Sequence, residues 1–141
     1  MDFLDKNKIQ FKGLAEKHGL NLLYAHGSVV DGTMGPLSDV DIALLFGPQK
    51  EAPPLTMRGV LYSDLCDIFG RDDIDMADLA MAGPLLRYLV ARGGQCLYAR
   101  SSDEQTLFEF HALRDYLDTM SLRHIYWQGL SSAIRSGKFY S

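Results

Sequence analysis

Residues 27–46 read GSVVDGTMGPLSDVDIALLF. A Gly-Ser pair is followed by ten residues rich in glycine and turn formers, and then by Asp39 and Asp41 in front of an apolar run. Because side chains alternate along a β-strand, these two aspartates would share one face, while Val40 and Ile42 point to the other. The segment 39–46 is therefore predicted to be a strand that begins with two carboxylates on one face.

This spacing has a chemical meaning. Two carboxylates about 7 Å apart along a strand form a platform for a divalent cation. Oxygen ligands of this kind suit Mg²⁺, which proteins commonly hold with one or two carboxylates and the phosphates of a substrate. Gly27 allows close approach of the backbone, and the following N–H groups, together with the Ser28 hydroxyl, can bind a phosphate oxygen. The stretch predicts a Mg²⁺ and phosphate site.

The flanking segments alternate between helix and strand signals. Further strands are predicted at 20–26, 73–81 and 95–99. Helices are predicted at 2–17, 55–70 and 85–92, and Ser28 could cap a short helical segment after the first strand. An N-cap signal at 102–104 starts a long C-terminal helical region with a break near 119–121. This order predicts an α/β (α+β) sheet domain.

Composition limits the size and the partners of the molecule. With 141 residues, 47% hydrophobic and 23% charged, the chain fits one domain spanning 1–141, in which 101–141 form a C-terminal helical region. The net charge of −4 and the pI near 5.4 disfavour direct nucleic-acid binding. Tight nonspecific binding to a polyanion needs clustered Lys and Arg side chains.

Cysteine usage and the N-terminus bear on the compartment. Cys66 and Cys96 form no CxxC pattern, so neither a zinc site nor a disulfide framework is expected. The first residues lack the apolar core of a secretory signal, and no stretch approaches the ~18 apolar residues of a membrane span. A soluble cytoplasmic protein without a membrane partner is expected.

Three segments together resemble a known family. Gly-Ser, ten residues and Asp-x-Asp form the signature of the nucleotidyltransferase superfamily related to DNA polymerase β, and 27–45 looks most like its minimal nucleotidyltransferases (MNT). Residues 73–100, DIDMADLAMAGPLLRYLVARGGQCLYAR, are similar to the part of MNT antitoxins where an Asp-bearing strand leads into a PLLRY helix and an LLY strand. FEFHALRDYLD (108–118) is also similar to that group. The resemblance covers residues 20–120.

The resemblance implies a polymerase β-like fold, a mixed sheet flanked by helices, and assigns roles by position. It assigns Gly27 and Ser28 to the triphosphate of ATP. It assigns Asp39 and Asp41 to two Mg²⁺ ions. An arginine that many relatives carry three residues after the serine is replaced here by Asp31, and this weakens the expected grip on phosphate.

The family also places a third carboxylate on the next strand, where Asp75 matches. Asp73 and Asp75 would share one face of that strand and Asp78 the other, so Asp75 is preferred and Asp78 is the alternative. The third carboxylate should contact the metal nearest the attacking hydroxyl and act as its base or orienter.

The implied activity is that of the antitoxin in a HEPN/MNT toxin-antitoxin pair. Such a protein transfers AMP from ATP to a tyrosine of the cognate HEPN ribonuclease toxin and so disables it. Two alternatives stay open: a catalytically weak antitoxin that acts by binding alone, which Asp31 favours, and a small-molecule nucleotidyltransferase of the aminoglycoside type. Relatives that modify small molecules usually carry an additional helical domain, which a chain of this length does not offer.

Other conspicuous residues have structural explanations. His26 is interpreted as a packed or hydrogen-bonded core residue more than as a nucleotide ligand. Asp72 and Asp73 are interpreted as a charged, solvated turn. Arg87 could face phosphate or solvent.

The C-terminal third contains more large apolar groups than one helical stripe can hide, so this region packs on the sheet, contacts another chain, or does both. They are Phe108, Phe110, Leu113, Tyr116, Leu117, Leu122, Ile125, Tyr126, Trp127, Leu130, Ile134, Phe139 and Tyr140.

Overall fold

The computed structural model describes residues 3–32, 35, 38–48 and 55–136. Helices and strands alternate along these ranges, and the predicted mixed α/β fold is confirmed. The elements are α1 (Phe3–Lys6), α2 (Lys8–His18), β1 (Leu20–His26), α3 (Ser28–Asp31), β2 (Val40–Phe46), α4 (Leu55–Phe69), β3 (Ile74–Asp78), α5 (Pro84–Gly93), β4 (Gln95–Ala99) and α6 (Ser102–Ser136).

The strands of the described ranges form one mixed sheet in the order β3-β2-β1-β4. β1 pairs antiparallel with both β2 and β4, whereas β2 and β3 are parallel. A parallel pair needs a crossover connection, and α4 lies in that connection. The end of β1 and the starts of β2 and β3 therefore meet at one end of the sheet.

Both faces of the central strands are covered by helices. On one face, Leu23 and Ile42 belong to a core cluster that includes apolar residues of α2 and α4. On the other face, Leu22, Tyr24 and Ala43 pack with residues of α5 and α6. Burial on both faces explains why β1 and β2 read as nearly continuous apolar runs.

Several predicted boundaries shift for local reasons. The first helix is interrupted at Asn7 and ends at Gly19, which adopts the left-handed conformation expected of a C-cap. Ser28 is the first residue of α3 and not its cap, because Gly27 occupies the N-cap position. β3 ends at Asp78, earlier than predicted, since the Asp78 carbonyl accepts hydrogen bonds from the N–H groups of residues 81 and 82 and closes a turn.

The predicted break at 119–121 is wrong, because α6 is one continuous helix of 35 residues. No glycine or proline lies at that point of the sequence. The Thr119 hydroxyl, which could compete with the backbone, instead donates to the carbonyls of Asp115 and Tyr116 within the helix, both at 3.1 Å. The N-cap hydroxyl belongs to Ser101, which accepts from the N–H of Glu104. Residue 2, Phe139 and Tyr140 lie outside the described residues.

Two further features concern the chain as a whole. Cys66 and Cys96 are both free and half-buried, so they are less buried than the apolar residues around them suggested. Burial raises the pKa of the Cys96 thiol. Over the residues that the structure covers, we find no helix with the length and apolarity needed to span a membrane.

Candidate active site

Three polar side chains form a row across the sheet at the end where β2 and β3 begin. His26 is the register partner of Asp41 in the antiparallel pair, and Asp41 is the register partner of Asp75 in the parallel pair. Register partners point to the same face, so His26, Asp41 and Asp75 share one face, and Asp39 lies directly before the start of β2 at the same end of the sheet. The structure therefore brings the predicted carboxylates to one end of the sheet, with Asp41 and Asp75 on the side covered farther along by α5 and α6.

The carboxylates of this row are accessible. Asp39 and Asp75 are exposed, while Asp41 and His26 are half-buried. Within the described ranges, the side-chain carboxylates of Asp41 and Asp75 have no hydrogen-bond or salt-bridge partner. Neighbouring carboxylates of this kind favour the binding of a cation, because an opposite charge stabilises their ionised form.

The turn after β1 packs directly against the Asp41 carboxylate. Gly27 has φ 72° and ψ −145°, a conformation that side chains disfavour. A Cβ atom added there would lie 2.6 Å from Oδ2 of Asp41. The Gly27 carbonyl accepts hydrogen bonds from the N–H groups of Val30 and Asp31, both at 3.1 Å, and these bonds fold the first turn of α3. Glycine thus allows the backbone of this turn to lie against the Asp41 carboxylate.

An arginine that the sequence analysis missed joins the starts of β2 and β3. Arg71 donates from Nη2 to the Ser38 carbonyl at 2.5 Å and from Nε to Oδ1 of Asp73 at 2.6 Å. These bonds lower the pKa of the Asp73 carboxyl. The pKa of Arg71 is raised, mainly by its hydrogen bond to Asp73 and further by the negative charges of Asp73 and Asp39. Arg71 therefore holds the segment before Asp39 and places a positive charge near it.

The interpretation of Asp72 and Asp73 as a charged, solvated turn holds for Asp72, which is exposed, whereas Asp73 is half-buried and ion-paired. Asp73 forms an ion pair with Arg71, and its carbonyl accepts from the N–H of Val40 at 3.0 Å. One feature of the sequence could have indicated the contact between Arg71 and Asp73: an arginine that stands directly after Gly70, where the helix was predicted to end, and before a strand that begins with acidic residues. Its bond to Ser38 spans 33 residues, which no local pattern reveals.

The alternative third carboxylate lies elsewhere. Asp78 is the register partner of Leu44, so it points to the face that carries α4. There it lies 3.7 Å from Nη2 of Arg58 and accepts from the N–H of Ala80 at 3.0 Å. The geometry brings Asp75, and not Asp78, to the row of carboxylates.

Arg87 also lies outside the row. Its Nη1 is 3.4 Å from the carboxylate of Asp115 on α6, and its guanidinium lies over the ring of Phe108, 5.8 Å from the centroid. This side chain connects α5 to α6.

The donor atoms at the row fit Mg²⁺. Across 3–32, 35, 38–48 and 55–136, no group of three His, Cys, Asp or Glu side chains stands ready to hold a metal ion. Asp41 and Asp75, with Asp39 beside them, supply carboxylate oxygens, the ligands that Mg²⁺ prefers. Because Mg²⁺ is usually bound by one or two carboxylates together with substrate phosphates, these residues suit an ion shared with a nucleotide.

Comparison with known proteins identifies the family. The model of the family Polymerase beta, Nucleotidyltransferase matches residues 7–103, which contain the Gly-Ser turn and all strands. Among curated proteins, none matches this sequence. A toxin-antitoxin with AMP-PNP is similar at 24% identity and a TM-score of 0.72, and the match covers 89% of this chain and 98% of that chain. The toxin-antitoxin MntA-HepT is similar at 22% identity and a TM-score of 0.67, with 90% of this chain and 98% of that chain covered. A tri-AMPylated Shewanella oneidensis HEPN toxin in complex with MNT antitoxin is similar at 22% identity and a TM-score of 0.65, with 91% of this chain and 98% of that chain covered. The matched region spans more than half of the sequence, so this chain belongs to the polymerase beta nucleotidyltransferase family.

Proposed function

We propose that this chain is a Mg²⁺-dependent antitoxin of the cytoplasm that transfers AMP from ATP to a tyrosine of a cognate HEPN ribonuclease toxin. The observation that carries this proposal is the register of Asp41 with Asp75 on one face, beside the Gly27 turn. The similar structures, one with AMP-PNP and one with a tri-AMPylated HEPN toxin, support the choice of nucleotide and acceptor.

The aspartates at this end of the sheet and the Gly27 turn have separate roles in this reaction. Asp39, Asp41 and Asp75 would hold two Mg²⁺ ions, and the turn at Gly27 and Ser28 would contact the triphosphate. When bound, the ions stabilise negative charge on the entering oxygen and on the leaving pyrophosphate. Asp75 also orients the tyrosine hydroxyl and accepts its proton. The tyrosine oxygen forms a bond to the α-phosphorus as the bond from that atom to the bridging oxygen breaks, and pyrophosphate leaves.

The exposure of the site suits a protein acceptor. Asp75 is exposed on β3, which is an edge strand of the described sheet. A side chain that projects from another protein can therefore reach this carboxylate from solution. A protein acceptor brings its own surface, so the chain needs no second domain to enclose it.

The test is transfer of label from ATP labelled at the α-phosphate to purified HEPN toxin. Replacing both Asp39 and Asp41 with asparagine should abolish transfer, and Asp75→Asn should do the same. Asp78→Asn is the matched control, because it changes an aspartate of the same strand on the opposite face. Mass increments of about one AMP each on the toxin would identify donor and stoichiometry together. Unchanged labelling by the double variant would refute the proposal.

A second function is favoured by one feature of the chain. Asp31 stands in α3, next to the expected phosphate site, where many relatives carry an arginine. An acidic residue there opposes phosphate binding. If toxin activity is still suppressed by the Asp39→Asn/Asp41→Asn variant at equal protein concentration, neutralisation occurs by binding alone.

A further inference from the structure

The second half of α6 is not used by the site or by the core. The first half packs on the sheet through Phe108 and Ala112, the buried residues of this helix. The part that we call the α6 tail, residues 119–136, is exposed along almost its whole length. Five large apolar side chains of the tail are more than 60% exposed: Leu122, Ile125, Tyr126, Trp127 and Ile134.

These side chains surround more than half of the helix. At about 100° per residue, the arc from Ile125 through Leu122 and Tyr126 to Trp127 covers roughly 200°. Arg123 lies within this arc, but its guanidinium is turned back along the helix, where Nη1 donates to the Thr119 hydroxyl at 2.6 Å. Packing on one neighbouring surface needs a stripe of only about 100°, so one partner helix would leave apolar surface uncovered. The tail is shaped for a groove between helices.

The remaining side of the tail is polar and carries one arginine. His124 and Arg135 lie there with serine and glutamine side chains. No Asp or Glu follows Asp118 in the sequence. If two copies of the tail packed on each other, Arg135 and His124 would find no carboxylate in the interface. A partner with carboxylates at the rim of its groove would complement them.

The composition and the area agree with a protein interface. Trp, Tyr and Arg are enriched at interfaces, whereas Lys and Glu are depleted, and the tail contains the first three and lacks the last two. With about 60% of each of the five apolar side chains accessible, the patch offers on the order of 400 Å². This is about half of the ~800 Å² that each partner contributes to a standard interface.

We propose that the α6 tail docks into an apolar groove between helices of the acceptor protein, and that carboxylates on the rim of this groove pair with Arg135 and His124. The proposal rests on the proposed function, which makes a HEPN toxin the acceptor. Docking by the tail would hold the acceptor while its tyrosine reaches the carboxylate row. Recognition and chemistry would then lie on separate elements of the chain.

The experiment measures the Kd of purified HEPN toxin for variants of the full chain by titration calorimetry. Tyr126→Ala/Trp127→Ala should raise the Kd at least about tenfold, as expected for truncated interface anchors. Leu107→Ala is the matched control, since this residue is 52% exposed on the same helix but outside the tail. Arg135→Glu should weaken binding and reduce its dependence on salt. Circular dichroism should show unchanged helix content, because the side chains that are changed contribute nothing to the core.

Failure of this proposal and failure of the proposed function can be told apart. The Asp39→Asn/Asp41→Asn variant should bind the toxin like the wild type while transferring no AMP. The tail variant should show a raised KM for the toxin with kcat close to the wild-type value. Wild-type affinity of Tyr126→Ala/Trp127→Ala would overturn the docking proposal. The docking proposal would also be overturned if the tail variant kept its toxin affinity and lost only self-association, measured by light scattering. The same holds if it kept its toxin affinity and lost only its affinity for a labelled RNA.

Discussion

Replacing Gly27 with alanine tests whether the turn after β1 sets the position of the Asp41 carboxylate. The new Cβ would lie 2.6 Å from Oδ2 of Asp41, well inside van der Waals contact. That oxygen is the end of a short flexible side chain, so the clash is relieved when the carboxylate rotates away. The substitution should therefore displace a proposed metal ligand without disturbing the apolar core.

Two effects of different size follow from this geometry. The positive φ at Gly27, near a region populated almost only by glycine, should cost about 1–3 kcal/mol of stability. For a domain of this size, that corresponds to a fall in Tm of roughly 3–12 °C. Moving Asp41 by about 1 Å should lower the rate of AMP transfer on the order of 10²-fold, since reacting groups must be aligned closely.

Gly32 provides the control that separates these effects. It caps the other end of α3 with φ 81°, and, apart from its chain neighbours, no atom of the described residues lies within 4 Å of a Cβ added there. Gly32→Ala should thus show a comparable fall in Tm in a thermal melt, while initial rates of label transfer stay within a few-fold of the wild type. Equal loss of transfer in both variants would mean that strain in α3, and not contact with Asp41, explains the requirement for glycine.

Two other contacts make predictions that can be checked on the same protein. Arg71→Gln should lower initial rates of AMP transfer about tenfold or more, because it releases the strand start that Arg71 ties to Asp73. Arg58→Gln, which breaks an ion pair on the opposite face of β3, should leave these rates near wild type, and similar losses in both variants would contradict the positioning role. The hydrogen bond from His18, at 2.7 Å, and a nearby lysine hold the pKa of the Asp64 carboxyl below its usual 3.8. Because the pKa of Asp64 is lower in the folded state than in the unfolded state, the ionised carboxylate stabilises the fold above pH 3.8. This contribution to the free energy of unfolding is lost as the pH falls through the lowered pKa. The Tm advantage of wild type over Asp64→Asn should narrow on acidification below pH 3.8, and an advantage that widens instead would refute this sign.

Much of the fold could be predicted because local signals mark the ends of its elements. β1 occupies residues 20–26 as predicted, with Gly19 before it and Gly27 after it, and α5 begins at Pro84. Glycine supplies conformations that other residues avoid, and proline fits the first turn of a helix, so both act at the place where they stand in the sequence. The break predicted near Thr119 failed because a hydroxyl that can disturb a helix is satisfied inside α6.

The candidate site could be predicted only in part, since its assembly depends on pairing between strands. Alternation along the predicted strand 39–46 puts Asp41 on the face opposite Val40 and Ile42, and alternation along β3 separates Asp75 from Asp78, but neither pattern says which residues of the two strands meet. That is fixed by the register, Asp41 against Asp75, and a shift of one residue would have placed Asp75 beside an apolar side chain. The bond from Arg71 to the segment before β2 has the same long-range origin.

The exposed α6 tail shows a different limit of prediction from sequence. The apolar residues after 107 were expected to pack on the sheet, on another chain, or on both. The structure divides them between the two ends of α6, because Phe108 is buried whereas Trp127 is 62% exposed. An amphipathic pattern alone cannot tell these two groups of side chains apart. It indicates that an apolar side chain will be buried, but not whether the same chain or another molecule buries it. The division follows from length, since 35 residues at about 1.5 Å each give a helix of roughly 50 Å, longer than the sheet strands of five to seven residues can cover. Among the described residues, the apolar side chains beyond that reach remain exposed, and the proposed docking of an acceptor protein would bury them.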